Sequence, residues 1–372
     1  MTIIYYYLFI LTSSFFYFLN KKLGAFIVIF IVFFSLFYLV SGPPDYEGYK
    51  LDYESGYFST SWPFFYTSSG ITAEASYKIY SGFLKIVTDA SFSGYLSLNF
   101  AICVFVFFFF TPFKGRRSKN INYLFWLFLL PVIIPTIFYF SPRSSISFFL
   151  VLAGFFLIMK GRGFSGRILM VFGSFFHFQF LPVVFFLFFC SFFLRGDLIN
   201  RKRKLYSMLL VISLFLIVFL KFSTSLVGLL SGAFTMLPAS DYLVTKIGYL
   251  NRAPEGIRIT AILSLFVFPV LLYLLHSRQL KLTHRFEFED SFRRNFLFLS
   301  TVVVLFGFCV NLAFFDQPHI SGRLSRFSDY YSLGIVLPVS LLLFFSWRVV
   351  VLTAIILIFS APVLYSTVYA IH

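Results

Sequence analysis

Residues 92–110, FSGYLSLNFAICVFVFFFF, form a run of 19 positions without a charged side chain. At a rise of 1.5 Å per residue, a helix of this length crosses the ~30 Å hydrocarbon core of a bilayer. The run lacks the alternation of polar and apolar residues that a strand of a membrane barrel requires. Since lipid offers no partner for backbone groups, the segment is predicted to be a transmembrane helix.

Comparable apolar runs occur along the chain, among them 23–40, 205–220 and 349–364. Hydrophobic residues make up 59% of the 372 positions and charged residues 12%, too few to cover the surface of a soluble protein of this size. We therefore expect an all-α fold, a polytopic helical membrane protein with about 11–12 transmembrane helices. The whole chain, 1–372, is predicted to be a single integral membrane domain.

The net charge of +16 is distributed unevenly. Placing six basic segments on one side of the membrane gives that side 20 of the 30 Lys and Arg residues and 4 of the 14 acids. These segments are those around Lys21, 114–119, 160–167, 195–204, 276–294 and Arg348. Such an excess is typical of cytoplasmic loops, so the charge indicates topology rather than a nucleic-acid partner. The opposite side then receives a large outward (periplasmic) loop at 42–90, a second at 223–256 and a basic one at 316–327.

Residues 168–194 lie between two basic segments, which requires an even number of crossings. The 27 residues are too few for two full spans of ~20 residues each. A hairpin of two short helices, or a re-entrant loop turning around 176–182, satisfies both constraints. Irregular backbone at membrane depth persists only where protein or a water-filled cavity surrounds it, which suggests a functional site.

Three of the arginines that are predicted on the outward side could bind an anion. Arg143 follows Pro142 at the expected start of a helix, where a positive charge is unfavourable unless an anion binds. Guanidinium groups are well matched to phosphate, although an arginine can also reach the membrane interface without binding anything. Arg326 could pair with Asp329 at the i,i+3 spacing, whereas Arg323 has no acid at such a spacing.

Two further groups could supply a general base. Asp45 and Glu47 open the large loop among aromatic residues, a combination that suits sugar recognition but also suits an ordinary solvated loop. His177 lies at the predicted break of the hairpin, where an ionisable residue suggests function, although a lone histidine is often structural. The sequence has no Walker loop, no zinc-spaced His and Cys set and no Asp-x-Asp, so we expect no metal and no cofactor.

A repeated spacing then suggests a family. Arg143 and Arg323 are each followed by ten residues and a glycine, Gly154 and Gly334. This pair resembles the paired motif of Wzy-type O-antigen polymerases. The surrounding sequence resembles the EpsG-like branch of that family from about Asp45 to Pro338. The matching pieces are Asp45-Tyr46 with Tyr49, Glu74 with Tyr77, Phe176-His177 and Tyr330-Tyr331.

The resemblance implies a GT-C-like multi-pass protein of the bacterial inner membrane, with its active site facing the periplasm. It implies a metal-independent glycosyltransferase that moves the growing chain from one undecaprenyl-diphosphate carrier onto the next lipid-linked unit. Donor and acceptor are thus undecaprenyl-diphosphate-linked glycans in the bilayer, with a chain-length regulator as a further partner. The implied roles are base for His177, Glu47 or Asp45, diphosphate binding for Arg143, Arg323 and Arg326, and sugar contacts for Tyr46, Tyr49, Glu74, Tyr77 and Tyr330.

Two other functions compete with this interpretation. A flippase for the same lipid-linked unit would place charged residues at mid-membrane depth, whereas the charges here cluster in outward loops. An O-antigen ligase, which moves finished polymer onto another lipid, is not separated from a polymerase by the sequence.

Overall fold

The computed structural model describes part of the chain: residues 49–51, 53–54, 75–89, 91–111, 125, 128, 142–192, 217–218, 259–278, 290–315, 317–346, 349–350 and 353. Every regular element in these ranges is a helix, which confirms the all-α prediction. Four of the described helices are long and apolar enough to cross a membrane: Phe92–Phe110, Pro142–Met159, Ser291–Ala313 and Arg326–Phe344. The chain is therefore a polytopic helical membrane protein.

The described helices follow one another in this order. They are α1 (Ala75–Val87), α2 (Phe92–Phe110), α3 (Pro142–Met159), α4 (Gly163–Ser174), a 3₁₀ turn (Phe178–Phe180), α5 (Leu181–Phe192), α6 (Ile259–Ile262 and Phe268–Ser277 around a π turn, Leu263–Val267), α7 (Asp290–Ala313), α8 (Pro318–Leu324) and α9 (Arg326–Tyr331 and Leu337–Phe344 around a π turn, Ser332–Val336). The apolar runs 23–40, 205–220 and 349–364 lie wholly or mostly outside the described residues, so the total of 11–12 crossings stays a prediction.

Helices α3 and α4 pack backbone to backbone. A Cβ atom placed on Gly154 would lie 2.5 Å from the carbonyl oxygen of Gly166, and one on Gly166 would lie 2.5 Å from that of Gly154. Further along the antiparallel pair, Ser147 Oγ donates a hydrogen bond to the Gly173 carbonyl at 2.8 Å. Small residues at such crossings are the usual basis of close helix association in membranes. The pairing brings the end of α4 beside the beginning of α3.

The hairpin predicted at 168–194 is present as two short helices, α4 and α5, of 12 residues each. The chain turns at 175–177 and makes one 3₁₀ turn before α5 begins. Helix α4 begins at Gly163, earlier than expected, and it includes Arg167, which the sequence placed in a basic loop. The Arg167 side chain is buried, and its guanidinium carbon lies 5.5 Å from the centroid of the Phe188 ring. This cation–π contact stabilises a positive charge within an apolar hairpin.

Helices α6, α7 and α9 meet at a second glycine. A Cβ atom on Gly307 of α7 would lie 2.8 Å from Ser328 Cβ on α9 and 3.3 Å from Ser264 Oγ on α6. Ser264 lies within the π turn of α6, and Ser332 begins that of α9. The close contact at Gly307 fixes the position of α9 along α7, and thus the position of Arg326, the first residue of α9.

Candidate functional site

The first turn of α3 is the meeting point of three elements that are distant in sequence. Ser144 Oγ accepts hydrogen bonds from Arg326 Nη1 at 3.2 Å and from Gln179 Nε2 at 3.3 Å. Ser144 is fully buried, while Arg326 and Gln179 are partly exposed. The start of α9 and the tip of the hairpin therefore converge on the residue next to Arg143.

Arg143, the residue before Ser144 in this turn, lies beside a pair of tyrosines. Its guanidinium carbon is 5.9 Å from the ring centroid of Tyr49, and that ring meets Tyr77 edge-on at 6.4 Å. Burial raises the pKa of the Tyr77 hydroxyl above its ordinary value, and the positive charge of Arg143 opposes this shift. The arrangement places a partly exposed cation between a helix N-terminus and two aromatic rings.

Aromatic packing holds the three elements together beneath the polar turn. Phe148 of α3 lies 5.5 Å from Phe327 and 5.6 Å from Tyr330, both on α9, measured between ring centroids. Phe180 of the 3₁₀ turn lies 6.3 Å from the same Phe327 ring. Two of these contacts are edge-on and the Phe148–Phe327 contact is tilted, and aromatic pairs of this kind add to the stabilisation from apolar burial. These ring contacts hold the beginning of α9 against α3, and so support the contact of Arg326 with Ser144.

His177 lies at the break of the hairpin, where the sequence placed it. It is buried, its backbone is extended, and its carbonyl accepts a hydrogen bond from Phe180 N at 3.0 Å. Its ring is 5.9 Å from that of Phe180. The same short turn carries both His177 and, two residues later, Gln179, whose side chain reaches Ser144.

The two arginines of the second motif occupy different environments. Arg323 belongs to the short helix α8 and is exposed, whereas Arg326 is the first residue of α9. Between them, Ser325 separates the two helices and donates a hydrogen bond from its hydroxyl to Asp329 Oδ2 at 2.7 Å. Arg326 contacts the first turn of α3 through Ser144.

The remaining predicted site residues divide into two groups. Tyr49, Tyr77 and Tyr330 are buried, and the Tyr77 hydroxyl lies 2.6 Å from that of Tyr95. The predicted residues Asp45, Tyr46, Glu47 and Glu74 lie outside the described residues. Within the described ranges, no three His, Cys, Asp or Glu side chains are grouped closely enough to hold a metal ion.

Two polar residues of this region, Ser144 and Asn99, were missed as site residues, and Gln179 was noticed only beside His177. Asn99 Nδ2 donates to Ser145 Oγ at 2.7 Å. Gln179 and Asn99 each stand in a strongly apolar stretch, and a polar side chain in such a stretch is a signal for a buried contact. Ser144 carries no such signal, because its partners lie 35 and 182 residues away.

The fold and this turn define a multi-pass membrane protein with two arginines gathered at one end of its helices. A sequence model of the EpsG family matches residues 25–372. The chain therefore belongs to the EpsG family, a family of polysaccharide polymerase-like membrane proteins. No curated protein and no solved structure matches it.

Proposed function

We propose that the protein polymerises undecaprenyl-diphosphate-linked oligosaccharide repeat units of O antigen or a related surface polysaccharide. The observation that carries the proposal is the convergence of Arg326 and Gln179 on Ser144, beside Arg143. Membership in a polysaccharide polymerase-like family supports the same reaction class. The site would face the periplasm, at the outward side of a single integral membrane domain in the inner membrane.

The reaction would replace a glycosyl-diphosphate bond by a glycosidic bond. A hydroxyl of the terminal sugar of the acceptor unit attacks the anomeric carbon of the donor chain, and the bond from that carbon to the diphosphate oxygen breaks. Undecaprenyl diphosphate leaves with the bonding electron pair, and the hydroxyl proton passes to a base. The leaving group already resides in the membrane, so the chemistry requires no nucleotide cofactor.

Arginines in this mechanism stabilise the negative charge that develops on the leaving diphosphate. Arg143 belongs to the first turn of α3, Arg326 contacts that turn through Ser144, and the exposed Arg323 completes the predicted set. Each contact could contribute ~2–4 kcal/mol in a partly dry site, since such electrostatic stabilisation is often the largest catalytic effect. The N-terminus of α3 adds its partial positive charge to the same place.

The base and the sugar contacts are assigned from the remaining residues. His177 is the first candidate for the base because it lies in the turn that carries Gln179, and Glu47 and Asp45 are the alternatives. Tyr49 and Tyr77 lie beside Arg143, so the acceptor sugar would bind next to the diphosphate. Tyr46, Glu74 and Tyr330 complete the proposed sugar-binding set.

Deletion of the gene in the source organism tests this function against its two competitors. A polymerase deletion leaves single repeat units at the cell surface, because export continues while chain growth stops. Loss of all surface units would instead support a flippase. Full-length polymer that accumulates on its lipid carrier would support a ligase, and either result would overturn the proposal.

A further inference from the structure

A chain of hydrogen bonds crosses from α1 to the first turn of α3. The Tyr80 hydroxyl donates to Asn99 Oδ1 at 2.7 Å, and Asn99 Nδ2 donates to Ser145 Oγ at 2.7 Å. The Ser145 hydroxyl in turn donates to the Pro142 carbonyl oxygen at 2.6 Å. This series of hydrogen bonds therefore ends at Pro142, the residue directly before Arg143.

Asn99 is the centre of this chain and is fully buried in the apolar helix α2. A carboxamide inside a membrane helix is costly unless its oxygen and its nitrogen both find partners. Here Tyr80 satisfies the oxygen and Ser145 accepts from the nitrogen. Buried polar networks whose members are paired in this way hold the connected elements rigidly.

Helix α1 makes three other contacts with the proposed site. Ser76 Oγ donates to the Phe175 carbonyl oxygen at the hairpin tip, and the Tyr80 ring meets Phe176 edge-on at 5.7 Å. Tyr77, between them in sequence, stacks edge-on with Tyr49 beside Arg143. A displacement of α1 would therefore be transmitted both to the turn that carries His177 and, through Asn99, to the arginine turn.

We infer that Asn99 is a positioning residue that couples acceptor binding at α1 to the arginine turn that binds the donor diphosphate. The inference rests on the proposed function, since it assigns the acceptor sugar to Tyr49 and to Tyr77 of α1, and the diphosphate to Arg143. An acceptor that settles against α1 orients the turn through Tyr80, Asn99 and Ser145. Donor and acceptor binding are then thermodynamically linked, each strengthening the other.

Tyr80→Phe is the most informative variant, because it removes one hydroxyl and keeps the ring that packs on Phe176. Tyr53→Phe is its matched control. The Tyr53 hydroxyl also bonds to a residue at the end of α1, Thr88 Oγ1, at 2.7 Å, and the Thr88 hydroxyl donates to the Leu84 carbonyl rather than to Asn99. Both variants thus lose one tyrosine hydrogen bond, and only Tyr80→Phe interrupts the chain to the arginine turn.

The measurement is the affinity of the detergent-purified full chain for undecaprenyl diphosphate in the presence of saturating acceptor oligosaccharide, alongside its thermal unfolding temperature. Tyr80→Phe is expected to weaken binding about 5- to 10-fold, and Tyr53→Phe to stay within about twofold of wild type. Combining Tyr80→Phe with Ser145→Ala should weaken binding no further than either alone, because both interrupt the same chain. A purely structural role would lower the unfolding temperature of both tyrosine variants without separating their affinities.

Three results would overturn the inference, and they are distinguishable. Equal affinity of wild type and Tyr80→Phe would refute the coupling while leaving the proposed function intact. Equal loss in Tyr80→Phe and Tyr53→Phe would reduce the chain to a structural role. A wild-type protein that binds no undecaprenyl diphosphate would remove the proposed function and the coupling together.

Discussion

Arg326 donates a hydrogen bond to Ser144 across 182 residues of sequence, at 3.2 Å. This contact joins the two Arg-containing segments, because Ser144 follows the arginine of the first and Arg326 lies three residues beyond the arginine of the second. The two segments therefore meet at the beginning of α3. A diphosphate bound there would be within reach of cations from both.

Arg326→Ala and Arg323→Ala should both strongly reduce chain growth. The two variants should differ in their thermal stability. Each variant loses a proposed diphosphate contact, which should lower the rate of chain growth about 10²- to 10³-fold. Arg326→Ala also leaves Ser144 with one donor fewer and should lower the unfolding temperature, whereas the exposed Arg323 should tolerate replacement within about 0.5 kcal/mol. Chain growth and thermal unfolding are measured on the same preparations, and normal polymer from both variants would refute the role of the second segment.

Lysine at position 143 or 326 should impair the protein while preserving its charge. Lysine cannot make the two parallel hydrogen bonds that a guanidinium makes to phosphate oxygens. We expect the affinity for undecaprenyl diphosphate to fall about 10-fold in each variant. Arg294→Lys is the matched control, since Arg294 is exposed near the beginning of α7, far along that helix from Gly307. A wild-type affinity for Arg143→Lys would show that charge alone is sufficient.

Gly154→Ala should destabilise the protein because the added Cβ atom has no room. It would lie 2.5 Å from the Gly166 carbonyl and 2.8 Å from Met170 N, both backbone atoms of α4. Separation of α3 and α4 should cost about 1–3 kcal/mol and move the hairpin tip away from Arg143. Gly163→Ala is the control, since its Cβ would have no neighbour closer than Arg167 Nη2 at 3.7 Å. Equal unfolding temperatures for the two variants would contradict the close packing.

His177→Ala should separate catalysis from binding. Removal of a general base lowers the rate of the chemical step about 10²- to 10⁴-fold and leaves the affinity for the donor diphosphate nearly unchanged. Single-turnover transfer and undecaprenyl-diphosphate binding measure the two quantities separately. If His177→Ala keeps the wild-type rate, the base is elsewhere, and Glu47→Gln and Asp45→Asn become the variants to compare.

The sequence predicted the helical hairpin because charge placement and chain length left few other solutions. Basic segments on both sides of 168–194 required two crossings in too few residues, and the structure has two helices of 12 residues. Arg143 at the beginning of a helix was also foreseen, from the proline before it and the apolar run after it. Local composition and spacing were sufficient for these features.

Other features depend on contacts that no local pattern encodes. Gly154 was noticed for its spacing from Arg143, but its packing role depends on Gly166 of another helix. The Arg326–Ser144 contact depends on where α7 places α9, through Gly307 and Ser328. Arg167 was placed in a loop because charged residues usually avoid apolar helices, whereas a ring contact with Phe188 accommodates it.

Chain growth by the purified protein tests the central claim most directly. The full chain in liposomes would receive a single synthetic undecaprenyl-diphosphate-linked oligosaccharide, and products would be separated by length. We expect wild type and Arg294→Ala to produce a ladder of polymers and to release undecaprenyl diphosphate. We expect Arg143→Ala and Arg326→Ala to produce no polymer. A ladder of undiminished length from Arg143→Ala and Arg326→Ala, or no ladder from correctly folded wild type, would contradict the central claim.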